Sequence, residues 1–178
     1  MDSSSKYPLI MRLMHWLMAL IILGLIACGW YMTSLDGDVS YKYDLYHWHK
    51  SFGVLVLFLL FARIVSRWAS RVPPLPKAMP WYERKLAHLV HWLLYLMLFL
   101  VPASGYLMSG AAPGRDVPFF KWTMPNLVDK NKELATILHD IHVVIPYVLL
   151  GIIVLHFLGA LKHRFMDKPE NDVIRRML

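Results

Sequence analysis

Four nearly uncharged apolar runs, Leu13 to Leu35, Leu45 to Ser66, Leu86 to Gly114 and Ile141 to Leu161, dominate this chain of 178 residues. A helix rises 1.5 Å per residue, so about 20 residues cross the ~30 Å of hydrocarbon in a bilayer. The sequence therefore predicts an all-α integral membrane protein, a four-helix bundle in a single domain over 1–178. Its spans are expected at about 9–34, 44–66, 84–110 and 138–163. The first apolar run is too long for a cleavable signal and is read as a retained span. In the second, Lys50, Arg63 and Arg67 lie near the ends, where long basic side chains snorkel to the headgroups.

With 57% hydrophobic and 17% charged residues, the chain has no broad polar face for tracking phosphates. Its net charge of +7 is therefore not read as a nucleic-acid signal. Topology explains it better. Thirteen of the nineteen Lys and Arg residues fall at the N-terminus, in the Pro-rich second connection and in the tail; six fall on the opposite side. The positive-inside rule places both termini in the cytoplasm. With the acids counted, the inner side carries +8 and the outer side −1. The single cysteine, Cys28, excludes an intrachain disulfide and a multi-thiolate metal centre, and no Cys-x-x-Cys-His is present for covalent haem. Trp16, Trp30, Trp48, Trp68 and Trp81 lie near span ends as interface anchors. Segment 131–138 is expected to form a short surface helix leading into the fourth span.

Nine histidines supply the chemistry. Ionisable residues within membrane helices are costly and mark function. His15 in span 1, His156 in span 4 and His91 in span 3 share the cytoplasmic depth; His49 and His142 share the outer one. The fourteen residues from His142 to His156 leave the two about 40° apart around the helix and about 21 Å apart along it. Facing imidazoles at two depths suit two haem groups, each iron held from both sides. His91 stays open in this reading, either as a substitute for His15 or His156 or as a quinone donor. His47, His139 and His163 are read as interfacial, and the eleven methionines as packing. Glycines 24, 29, 53, 105, 151 and 159 offer room for a flat macrocycle or for close helix approach.

The chain resembles the bacterial cytochrome b561 family of inner-membrane di-haem proteins. The likeness runs through Met14-His15-Trp16-Leu17, His49-Lys50-Ser51-Phe52-Gly53 with Arg63, Ala87-His88-Leu89-Val90-His91, Pro102-Ala103-Ser104-Gly105, Thr123-Met124-Pro125, and His142 with His156. It implies two haem b groups, with His15 and His156 as axial ligands on the cytoplasmic side and His49 and His142 on the periplasmic side. It also implies a multi-pass protein of the bacterial inner membrane that moves electrons between the periplasmic face and the quinone pool. In one version superoxide is oxidised to O2 and ubiquinone is reduced, with His91, Arg63 or Lys85 bonding the quinone or supplying protons. In the other, the chain is an electron-transfer subunit or membrane anchor exchanging electrons between quinone and a periplasmic redox protein. The acidic balance of the outer loops weighs against the first version, because superoxide is an anion.

Overall fold

A computed structural model describes residues 6–76 and 78–178. Asp2 and Lys77, both counted in the charge balance above, lie outside the described residues. Four helices, α1 (Leu9–Ser34), α2 (Lys42–Ala69), α3 (Trp81–Ala111) and α4 (Lys132–Phe165), are all long and apolar enough to cross a membrane. They form a multi-pass bundle in which α3 packs along α4 and α2, and α1 along α2. Both ends of the described chain meet at one end of the bundle, where the Tyr7 N–H donates to the Arg176 carbonyl at 3.0 Å.

The structure corrects the reading of segment 131–138. Instead of forming a separate surface helix, it is the first part of α4. Asn131, in extended backbone, accepts the Leu134 N–H on its side chain at 3.0 Å and so caps the helix. No Gly or Pro interrupts the chain from Lys132 until Pro146, so nothing breaks the helix before the membrane. His142 therefore lies about 15 Å into α4, and His49 lies about 10 Å into α2.

An apolar layer fills the middle of the bundle. Met18 and Ile22 of α1, Val56 and Leu60 of α2 and Leu149 of α4 are buried together, with Leu94, Leu98 and Val101 of α3 against them. Leu149 is seven residues from His142 and seven from His156, so on α4 the layer falls midway between the two histidines.

Between α3 and α4 the chain forms a hairpin, β1 (Val117–Phe119) paired antiparallel with β2 (Trp122–Met124). Val117 is buried against Val54 and Tyr106. The turn residue Phe120 has φ 54°, a region that favours glycine. Its neighbours hold it there. The Phe120 N–H donates to Ser51 Oγ at 2.9 Å, its carbonyl accepts from His47 Nε2 at 3.0 Å, and its ring contacts Phe52 and Trp48.

At the opposite end the tail after a 3-10 turn (Pro169–Asn171) folds back on the start of α1. The Trp16 indole donates to the Met177 carbonyl at 2.9 Å, Arg176 donates to the Pro74 carbonyl at 2.8 Å, and Arg12 bonds the Leu178 carbonyl. The Pro-rich loop, with Pro76 fully buried, thus joins both ends of the described chain in one cap.

Candidate functional site

Two pairs of imidazoles face each other inside the bundle, one toward each end. His15 of α1 and His156 of α4 have ring centroids 6.2 Å apart; His49 of α2 and His142 of α4 are also 6.2 Å apart. A metal bonds imidazole nitrogen at about 2.0–2.1 Å, and that nitrogen lies about 1.1 Å from its ring centre, so two rings on opposite sides of one metal have centroids about 6.3 Å apart. Both pairs have that separation. His91 comes nearer to His156, at 5.2 Å, too close for the two rings to share one metal from opposite sides.

The pair toward the hairpin end is oriented by α3. His142 Nδ1 lies 3.0 Å from the Val101 carbonyl and 3.0 Å from Ser104 Oγ, while the Ser104 hydroxyl donates to the same carbonyl at 2.7 Å. A carbonyl only accepts, so it places the proton on Nδ1 and leaves Nε2 free as a ligand. Pro102 lies inside this segment of α3 and contributes no backbone N–H. Gly105, one turn beyond Val101, abuts the ring: a Cβ there would lie 2.8 Å from His142 Cε1. Gly29 of α1 lies beside His49, with a Cβ position 3.4 Å from the ring. Side chains at Gly24, Gly53, Gly151 and Gly159 would meet open space, and one at Gly29 would make an ordinary contact with the His49 ring, so a glycine is required against a histidine ring at Gly105. His49 Nδ1 is buried without a hydrogen-bond partner.

Around the other pair, Arg63 donates to the Met11 carbonyl at 3.2 Å and is a charged neighbour of His15, His91 and His156. The His91 Nδ1 donates to the Ala87 carbonyl at 2.6 Å, which leaves Nε2 free. His91 is exposed on the bundle surface. Lys85 is not drawn into this group by any contact described; its ammonium lies over the Trp81 ring at 4.9 Å.

Several of these parts were missed from sequence. Ser104 stands in a stretch quoted for its family likeness, and Gly105 was among the glycines read as offering close approach, but their service to His142 requires α3 to lie against α4. His47 holds the hairpin through Phe120. Lys50, next to His49, has Arg115, Asp116 and Lys130 as charged neighbours, residues more than sixty positions away in the chain. His163 lies in the last turn of α4 and bonds Asp167 at 2.7 Å, whereas His139 and Asp140 form an exposed pair at 3.2 Å.

A membrane bundle with facing imidazoles at two depths defines the class of proteins that hold flat metal macrocycles between helices. Comparison with known proteins narrows the class. A model described as Prokaryotic cytochrome b561 matches residues 6–178. The chain is 34% identical over 179 residues to "Cytochrome b561 homolog 2" of Escherichia coli (strain K12), covering 99% of this chain and 93% of that one. It is 30% identical over 175 residues to "Probable superoxide oxidase CybB" of Yersinia pestis, covering 97% and 96%. "Cytochrome b561 homolog 1" of Escherichia coli (strain K12) is 24% identical over 168 residues, covering 92% of each. The chain belongs to the prokaryotic cytochrome b561 family of membrane electron-transfer proteins, which bind haem b. The site fits that group in its ring separations, in the tautomer imposed on His142 and in the glycine against the His142 ring.

Proposed function

We propose that this chain binds two haem b groups, one between His15 and His156 and one between His49 and His142, and carries electrons between the periplasmic face and the quinone pool. The observation that carries this reading is the shared 6.2 Å separation of two histidine pairs on either side of one apolar layer. When bound, haem b would supply a one-electron couple at each level, held by the imidazoles of His15 and His156 at one and of His49 and His142 at the other. The protein's work is to orient the ligands, exclude water from the middle of the bundle and recognise donor and acceptor at its ends.

With both termini in the cytoplasm, as the basic residues favour, the His49 and His142 pair lies toward the periplasm. There Lys50 has Arg115, Lys130 and Asp116 as charged neighbours, a cluster that is basic on balance. A local positive entrance of this kind attracts a small anion even where the surface as a whole is slightly acidic. This supports superoxide as the donor, in line with the name of the Yersinia pestis relative. Two superoxide ions give two O2 and two electrons; with two protons these convert one ubiquinone into ubiquinol. At the cytoplasmic end, the free Nε2 of exposed His91 and the Arg63 guanidinium bond the quinone oxygens.

The test uses haem-loaded protein in detergent with ubiquinone. Generated superoxide should reduce the haem and form ubiquinol, and superoxide dismutase should abolish both. If superoxide has no effect while a periplasmic redox protein exchanges electrons with the haem, the chain is an electron-transfer subunit. Absence of bound b-type haem would overturn both readings.

A further inference from the structure

Away from the facing histidine pairs, three potential metal ligands from two distant parts of the chain converge at the end of the bundle that carries the tail. They are Glu83 in the first turn of α3, His163 in the last turn of α4 and Asp167 just beyond it. One ligand atom from each lies within 4.8 Å of the others, and their side chains are only 16%, 12% and 14% exposed. The Lys162 ammonium bonds Glu83 Oε1 and bridges both Asp167 oxygens, 3.1 Å from Oδ1 and 3.3 Å from Oδ2. Glu83 Oε2 and Asp167 Oδ2 lie beside His163 Nδ1, at 3.9 and 2.7 Å.

Glu83 Oε2 is buried without a hydrogen-bond partner, a costly condition for a carboxylate oxygen unless something positive meets it. Lys162 already engages the other oxygen, so the unmet demand points toward His163. Ligand atoms about 2.1 Å from a tetrahedral ion lie about 3.4 Å from one another. The 2.7 and 3.9 Å separations from His163 Nδ1 lie on either side of that value, and the two carboxylate oxygens lie within 4.8 Å of each other, so side-chain shifts of about an ångström bring the three ligands around one ion.

We propose that Glu83, His163 and Asp167 bind a divalent cation of the zinc class, which ties the start of α3 to the end of α4. One imidazole nitrogen and two carboxylate oxygens suit zinc, whereas magnesium and calcium prefer all-oxygen sites. The ion replaces the proton between His163 Nδ1 and Asp167 Oδ2, and water completes its coordination. Glu83 and Asp167 bring two negative charges against the one positive charge of Lys162, so the cluster remains attractive to a cation. This assignment is independent of the electron donor and of the number of haems.

The test is equilibrium dialysis of the full-length, haem-loaded protein in detergent after chelator treatment, against zinc chloride, with metal counted by mass spectrometry. One zinc per chain should bind, and an equal concentration of magnesium should not displace it. His163→Ala and Glu83→Gln should weaken binding by at least about a hundredfold, while His139→Ala should leave it unchanged. If His163→Ala fails to retain haem, the near-isosteric Glu83→Gln decides the matter alone. Failure of wild-type protein to bind zinc at about 10 μM, displacement by magnesium, or wild-type binding by Glu83→Gln would overturn the proposal.

Discussion

Gly105 and His142 are packed so closely that a Cβ on the glycine would lie 2.8 Å from Cε1 of the imidazole. The ring has little freedom to retreat, because its other nitrogen is tied to Val101 and Ser104. Gly105→Ala should therefore displace His142 and lower the haem content from two per chain toward one, measured as pyridine haemochrome against protein. Gly151→Ala, on the same helix as His142 but with open space around its Cβ, should retain both haems.

The proposed pairing rests on ring separations of 6.2 Å for His15 and His156 against 5.2 Å for His91 and His156. His142→Ala and His156→Ala should each lose one haem. His91→Ala should keep both and raise the KM for quinone. A protein that lost a haem with His91 and kept both without His15 would reverse the pairing.

Ser104 shares the Val101 carbonyl with His142. Ser104→Ala leaves the carbonyl bond to Nδ1 in place but removes one partner, a change of about 0.5–1.5 kcal/mol. If that change falls unequally on the two oxidation states, the potential of one haem moves by up to about 60 mV. Redox titration should show the shift in one of two components, with haem content unchanged.

The hairpin depends on Ser51, which is fully buried and accepts the Phe120 N–H while donating to the His47 carbonyl at 2.9 Å. In Ser51→Ala, the Phe120 N–H is left without that partner, at a cost of about 1–3 kcal/mol. The expected result is a lower thermal midpoint, with faster hydrogen exchange in residues 115–126 than in the four helices.

At the other end, Asp172 is 6% exposed and receives the Arg164 guanidinium and the Arg175 N–H. Burial pushes its carboxyl upward, but the Arg175 N–H and Arg164 outweigh this and hold it below the ordinary 3.8. A carboxyl lowered in the folded state contributes stability that is present above its unfolded value and lost as pH falls through the folded one. The tail should therefore loosen below pH 3.8, read as hydrogen exchange in residues 169–178 corrected for intrinsic rates. In Asp172→Asn it should already be loose at neutral pH and show little further acid response.

The number of helices, the depths of the histidines and the basic bias of one side were legible from the sequence, because hydropathy and the 3.6-residue period are local properties. Fourteen residues on one helix determine the spacing of His142 and His156 whatever surrounds them. Partner choice is different in kind. Whether His15 or His91 stands opposite His156 depends on the rotation and approach of helices joined by loops, and the ring separations differ by only 1.0 Å, 6.2 against 5.2. Side-chain packing between helices decides a difference of that size. A helix beginning near 131 was legible in the sequence; its continuity with the fourth span follows from the lack of any Gly or Pro between Lys132 and Pro146. The docking of Phe120 on His47 and Ser51, the gathering of Arg115 and Lys130 near Lys50, and the meeting of Glu83 with His163 had no local signal. Each joins residues more than sixty positions apart, and only the closed bundle brings them within reach.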